Sequence, residues 1–184
     1  VQDEAGVAQM LFAVGVIAAD HIFEATVQRV AKQLKLFRDL LYLPVAAKGA
    51  RVDVWSDNAD GYYDVQQPDL QPKWNNRGVF VTGEDGAYSF VGIKPVSYPI
   101  PDDGPVGQML GHLGRHPFRP AHMHYLVTAD GFERLVTHTF VGGDTYLDSD
   151  AVFGVKTSLI APFNKVEGGA TLWHSPFDFV LTPA

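Results

Sequence analysis

Apolar and polar positions along this chain change their period near residue 49. From about Gly6 to Leu41 the apolar residues fall at helical spacing. Val7, Leu11, Val14 and Ala18 form one stripe; Val27, Val30, Leu34, Phe37 and Leu41 form a second that steps by 3, 4, 3 and 4. This spacing predicts two helices. Asp20 is placed to cap the second, and Pro44 with Gly49 to stop it. A 3-4 stripe serves equally for packing on its own domain or for a seam between two copies. After Gly49 the pattern becomes short alternating runs, which predict strands over 51–55, 79–82, 87–90, 122–127, 135–141 and 177–181. Asp-Gly dipeptides at 60–61, 85–86, 103–104 and 130–131 read as the turns between them. The expected fold is mainly β: a β-sandwich core over residues 44–184, preceded by an α-helical segment over 1–43. The proline- and glycine-rich stretch from Lys94 to Pro120 is too long for an idle connection, and such loops usually carry function.

Composition narrows the chemistry. A chain of 184 residues is one domain's worth of sequence. The formal charge of -7 repels phosphate backbones, so no nucleic-acid partner is expected. The chain has no cysteine. That removes disulfides, zinc ribbons, iron–sulfur clusters and thiol nucleophiles together. Any metal must then be held by His, Asp, Glu, Tyr or backbone oxygen. The apolar run from Ala5 to Ala19 falls short of the roughly 20 residues that cross a bilayer. Asp3 and Glu4 stand where a signal peptide would carry basic residues. The expectation is a soluble, cytoplasmic protein with no membrane span. No G-x-G-x-x-G opens a strand–helix unit, so neither nicotinamide nor flavin is expected.

The strongest local signal is Arg119-Pro-Ala-His122-Met-His124-Tyr-Leu-Val127. Residues i and i+2 of a strand share a face, so His122 and His124 project together while Met123, Tyr125 and Val127 face a core. Two imidazoles on one rigid face are a preformed pair of metal ligands. His138 mirrors His124 about Gly131, which places it opposite or diagonal to His124 in a hairpin. Carboxylates near the pair are confined to Asp130 and Glu133 in the turn, and no H-x-D/E facial triad is present. Tyr63, after Asp60-Gly-Tyr62, and Tyr98, in Val96-Ser-Tyr-Pro-Ile-Pro101, are the remaining donors in unusual places. A phenolate is a hard oxygen donor and favours iron(III). Taken singly, each tyrosine reads as a packing residue, as Tyr62, Tyr88 and Tyr125 do. Three readings stay open on this evidence: a tyrosine–histidine iron centre, a zinc or manganese hydrolase on His122, His124 and His138, and a non-catalytic transthyretin-like sandwich.

Residues 50–160 resemble the intradiol ring-cleavage dioxygenases, most closely the hydroxyquinol 1,2-dioxygenase branch. The matching stretches are Val52-Asp-Val-Trp55 with Asp60-Gly-Tyr-Tyr-Asp64, Val96-Ser-Tyr-Pro-Ile-Pro-Asp-Asp-Gly-Pro-Val-Gly107, Gly114-Arg-His-Pro-Phe-Arg-Pro-Ala-His-Met-His124, and Gly143-Asp-Thr-Tyr-Leu-Asp-Ser-Asp-Ala-Val-Phe-Gly-Val-Lys156. The resemblance implies one non-haem iron(III) per chain, held by Tyr63, Tyr98, His122 and His124. Tyr63 is preferred to Tyr62 because it directly precedes Asp64. The resemblance further implies Arg119, Tyr98 and His138 as catalytic residues, His138 standing where the catechol branch carries Gln. Ile100, Pro101, Arg119 and Val152 are then expected around the substrate. The implied partners are a catecholic small molecule and dioxygen, with a homodimer through the helical segment and a bound lipid. The chain departs from the family before Arg51: only Tyr42–Lys48 separate the second stripe from the Gly49–Trp55 run, where the family carries a longer helical region and pocket-walling strands.

Overall fold

The computed structural model describes residues 9–18, 47–166 and 172–184. Two five-stranded sheets lie face to face. One contains β2 (Arg51–Trp55), β3 (Arg77–Val81), β7 (His122–Thr128), β8 (Leu135–Val141) and β9 (Ile160–Ala161) in the order β3-β2-β7-β8-β9. The other contains β1 (Gln9–Ala18), β4 (Ala87–Ile93), β10 (Asn164–Val166), β11 (Leu172–His174) and β12 (Phe179–Leu181). Val52 and Val54 of β2, Met123, Tyr125 and Val127 of β7, Tyr88 of β4, and Phe179 and Leu181 of β12 fill the space between the sheets. The alternation of β7 follows directly: its odd-numbered side chains are core, and its histidines emerge on the opposite face. The β5 (Tyr98–Pro99) and β6 (Phe118–Arg119) ladder meets that face through Tyr98 and Arg119, and the connection between the two strands carries a helix, α1 (Pro105–His112). No helix among the described residues is long and apolar enough to cross a membrane.

The strands expected over 51–55, 79–82, 87–90, 122–127, 135–141 and 177–181 are present, with shifted ends. Three of the Asp-Gly glycines adopt the left-handed turn conformation: Gly61 at φ 82°, Gly86 at 73° and Gly131 at 81°. The fourth does not. Gly104 is extended at φ -119° and precedes the Pro that opens α1; proline's fixed φ suits a first helical position and turns Asp-Gly-Pro into a helix start.

The first helical stripe is overturned. Gln9–Ala18, which contains Leu11, Val14 and Ala18, is a strand. It pairs antiparallel with β4 on one edge and parallel with β11 and then β12 on the other. The physical reason lies in Met10-Leu-Phe-Ala-Val-Gly-Val-Ile-Ala18. A continuous apolar run satisfies a helical stripe and a central strand alike, and three β-branched residues favour the strand. This strand therefore belongs to the sandwich rather than to a separate helical unit. The second stripe, Val27 to Leu41, lies outside the described residues.

Candidate metal centre

His122 and His124 leave β7 on one face, and the β7–β8 hairpin sets His138 directly opposite His124. Tyr63 comes from the loop after β2, where Asn58 and the Gly61 turn reverse the chain. The Tyr63 N–H donates to Gln66 Oε1 at 2.8 Å, and its carbonyl accepts from Gln71 Nε2 at 2.7 Å. Tyr98 comes from β5. These three segments bring four donor atoms together. Tyr63 Oη lies 3.0 Å from His124 Nε2, 3.3 Å from His122 Nε2 and 3.1 Å from Tyr98 Oη. Tyr98 Oη lies 3.3 Å from His122 Nε2. Tyr62 turns away, 38% exposed.

The ring orientations are set from behind. His122 donates from Nδ1 to the Pro120 carbonyl at 2.7 Å, which leaves the Nε2 lone pair facing the tyrosines. The His124 ring stacks on Trp55, its cross-strand partner, with centroids 5.2 Å apart and planes 4° apart. Arg77 lies over the other ring of that stack, 5.4 Å from the Trp55 centroid, and binds Asp64 through two 2.8 Å hydrogen bonds. Asp64 in turn follows Tyr63, so one chain of contacts links a histidine donor to a tyrosine donor. Arg77 holds the Asp64 carboxyl below the usual carboxylate range.

Burial dominates the electrostatics. It lowers His122 to about 3 and His124 to about 4, with the Arg119 charge adding to the first and His138 to the second. Both rings are therefore neutral at pH 7. Burial, then the hydrogen bond to Tyr98, push the Tyr63 phenol well above its ordinary value. Arg119 Nη1 is 3.1 Å from His122 Nε2, so one nitrogen lone pair faces an arginine N–H and two phenols at once. Such a crowd of donors fits a cavity built for an electrophile. Two neutral imidazole nitrogens and two hard phenol oxygens suit a small trivalent cation such as ferric iron. A cation of that charge would favour the phenolate form of such ligands.

Arg119 reaches the centre from β6, where it is the register partner of Tyr98. Its Nε donates to Asp150 Oδ1 at 3.2 Å, and Asp150 also accepts the backbone N–H of Gly154 at 2.8 Å and of Val152 at 3.3 Å. Burial pushes the Asp150 carboxyl up, but Arg119 and these amides hold it below its ordinary value. His138 Nε2 is buried with no hydrogen-bond partner. A side chain at Gly154 would lie 3.2 Å from Arg119 Nη2 and 3.7 Å from His138 Nε2, so glycine keeps this corner open.

The remaining sequence expectations are placed less closely. Ile100 is half-buried beyond β5, while Pro101 and Val152 are exposed. Among the described residues no group of three or more His, Asp or Glu is disposed to hold a metal, although the His122, His124 and His138 ring centroids lie 4.8–5.8 Å apart. Sequence reasoning passed over Trp55, Asp57 and Asp150. Trp55 carried a readable signal, since it ends the strand that neighbours the His-x-His strand. Asp57 and Asp150 carried none, because an aspartate beside a turn ordinarily faces water.

A family model described as Dioxygenase matches residues 42–183. A hydroxyquinol 1,2-dioxygenase of Rhizobium sp. is 57% identical over 149 residues, covering 76% of this chain and 50% of the relative. The chain belongs to the intradiol ring-cleavage dioxygenase family. A 6-chlorohydroxyquinol 1,2-dioxygenase of Cupriavidus pinatubonensis is 54% identical over 140 residues, 76% of this chain and 49% of the relative. The solved structure of a hydroxyquinol 1,2-dioxygenase from Pseudomonas putida superposes with a TM-score of 0.79 at 34% identity, covering all of this chain and 58% of that one. This intradiol chain thus spans about half the length of the curated relatives it matches.

Proposed function

We propose that this chain carries the ring-cleaving centre of an intradiol dioxygenase, which uses dioxygen to open hydroxyquinol or a related catechol between its two adjacent hydroxylated carbons. The observation that carries the reading is the convergence of Tyr63, Tyr98, His122 and His124 to donor separations of 3.0–3.3 Å. These four residues would hold one ferric ion. When bound, that ion supplies a Lewis acid which binds the catechol oxygens and couples the electron-rich ring to dioxygen. His122 and His124 contribute neutral lone pairs and add no charge. Tyr98, on the two-residue strand β5, would be a phenolate when it holds the ion, and that phenolate oxygen would accept a proton from the arriving substrate hydroxyl. Arg119, oriented by Asp150, presents a fixed positive charge to the oxygens and the ring. His138 offers its free Nε2 as a further polar contact beside Arg119. Ile100, Pro101 and Val152 contribute to the wall around the ring. A role in aromatic catabolism, a cytoplasmic location, a homodimer through residues 1–43 and a bound lipid go with the same reading.

The test is oxygen uptake by the iron-loaded chain with 1,2,4-trihydroxybenzene and with catechol in parallel, recorded with the visible spectrum. Uptake with the triol and a phenolate-to-iron charge-transfer band are expected, and Tyr63→Phe or Tyr98→Phe should shift that band. A colourless protein that binds stoichiometric zinc and consumes no oxygen overturns the reading.

A further inference from the structure

Of the three donors carried on strands, Tyr98 has the shortest ladder beneath it. β5 is two residues long and pairs only with the two-residue β6. One further rung, from Ile100 N–H to the Pro117 carbonyl at 3.0 Å, extends the ladder. A ladder this short is not stable alone. His122, by contrast, lies on a central strand of the sandwich. Yet the Tyr98 phenol must meet His122 Nε2 at 3.3 Å.

The connection runs through one carboxylate in the turn after β8. Asp144 Oδ2 accepts the Ser97 hydroxyl at 2.5 Å and the Ala121 backbone N–H at 3.1 Å. Ser97 immediately precedes Tyr98, and Ala121 immediately precedes His122. Asp144 Oδ1 accepts the Tyr146 N–H at 2.8 Å, and the Asp144 N–H donates to the Val141 carbonyl at 3.2 Å. Val141 N–H closes the circuit on the Ala121 carbonyl at 2.9 Å. A single oxygen therefore joins the residues that precede two of the four donors, and it is anchored to the end of a sheet strand. Charge-assisted acceptance from three donors is also the strong kind of hydrogen bonding.

We infer that Asp144 is a positioning residue that ties the Tyr98 segment to the start of β7, keeping Tyr98 and His122 at the separation one ion requires. The inference rests on the iron-centre reading above. Asparagine cannot substitute: whichever way its amide turns, an N–H replaces an acceptor and faces another donor. Partners behind metal ligands typically contribute about 10–100-fold to metal affinity.

The experiment compares Ser97→Ala, Ser97→Thr and Asp144→Asn with the parent chain. In metal-free protein, Ala121 amide exchange and the ring signals of fluorine-labelled Tyr98 are recorded; in ferric protein, the charge-transfer band, iron affinity and Tm. Ser97→Ala should move the Tyr98 signals, shift the band and weaken iron binding roughly 10-fold with little change in Tm, whereas Ser97→Thr keeps all of them. Asp144→Asn should do the same more strongly and speed Ala121 exchange. Parental Tyr98 signals in Ser97→Ala and Asp144→Asn overturn the inference, as does loss in Ser97→Thr equal to that in Ser97→Ala. If the parent chain takes up no coloured ferric iron, the functional reading fails, and the metal-free signals alone decide the Asp144 link.

Discussion

Asp57 is fully buried, and neither carboxylate oxygen has a hydrogen-bond partner. Burial raises its pKa from 3.8 to about 7. Between those values the folded protein holds a proton that the unfolded chain has lost, so this group lowers stability as pH rises. His122 and His124 act in the opposite sense. Their folded pKa values of about 3 and about 4 lie below 6.5, so the unfolded chain binds the extra protons and stability is lost as pH falls through that window. Asp57→Asn keeps the shape and removes the first effect, worth about 4 kcal/mol. Thermal unfolding of metal-free protein should show Tm raised by roughly 6 °C or more at pH 8 and scarcely changed at pH 4. A second expectation concerns the Arg119–Asp150 pair, whose side chains are only 11% and 2% exposed. Asp150→Ala leaves a buried guanidinium unpaired, at a cost of about 3–5 kcal/mol. It also frees the charge that faces the centre, so oxygen uptake should fall along with Tm.

The turn at Gly61 joins two of the donor-bearing segments. Its φ is +82°, and an added Cβ would sit 3.0 Å from Tyr98 Cβ. Gly131 has nearly the same φ, +81°, with nothing within 4 Å. Both positions resist a side chain on backbone grounds, by about 1–2 kcal/mol. Only Gly61 also presses on Tyr98. Gly61→Ala and Gly131→Ala should therefore lower Tm similarly, while Gly61→Ala alone weakens ferric binding in a chelator competition. The hairpin formed by β7 and β8 was legible from residue order: the two-residue period exposes both histidines on one face, and symmetry about Gly131 sets His138 against His124. The helix reading of residues 9–18 failed where no polar residue interrupts the run, because an uninterrupted apolar segment carries no period to read.

β1 stabilises the molecule as a whole, since β4, β11 and β12 all hydrogen-bond to it. A chain beginning at residue 47 leaves three strand edges unpaired, and exposed edges invite aggregation. Denaturant unfolding of that fragment should lose its cooperative transition. The proposed iron binding would be a property of the assembled centre and would carry its own pH dependence. Each phenol that ligates must release a proton, and burial makes the Tyr63 proton hard to release. Iron affinity should therefore rise from pH 6 to pH 8, with proton release measurable on loading, and removal of iron should lower Tm.

Residue order determined the β-rich architecture, the shared face of His122 and His124, and, through motif resemblance, which two tyrosines to examine. These are local properties: a strand's period, a turn's glycine and a short motif are all carried by neighbours in the chain. Tertiary packing decided the rest. It made Gln9–Ala18 a central strand, brought Tyr63 and Tyr98 within 3.1 Å of each other across 35 residues, and turned Asp57, Asp144 and Asp150 inward. Those outcomes depend on which strand edges and loops meet after collapse, and no pattern along the chain encodes the environment a carboxylate will find there.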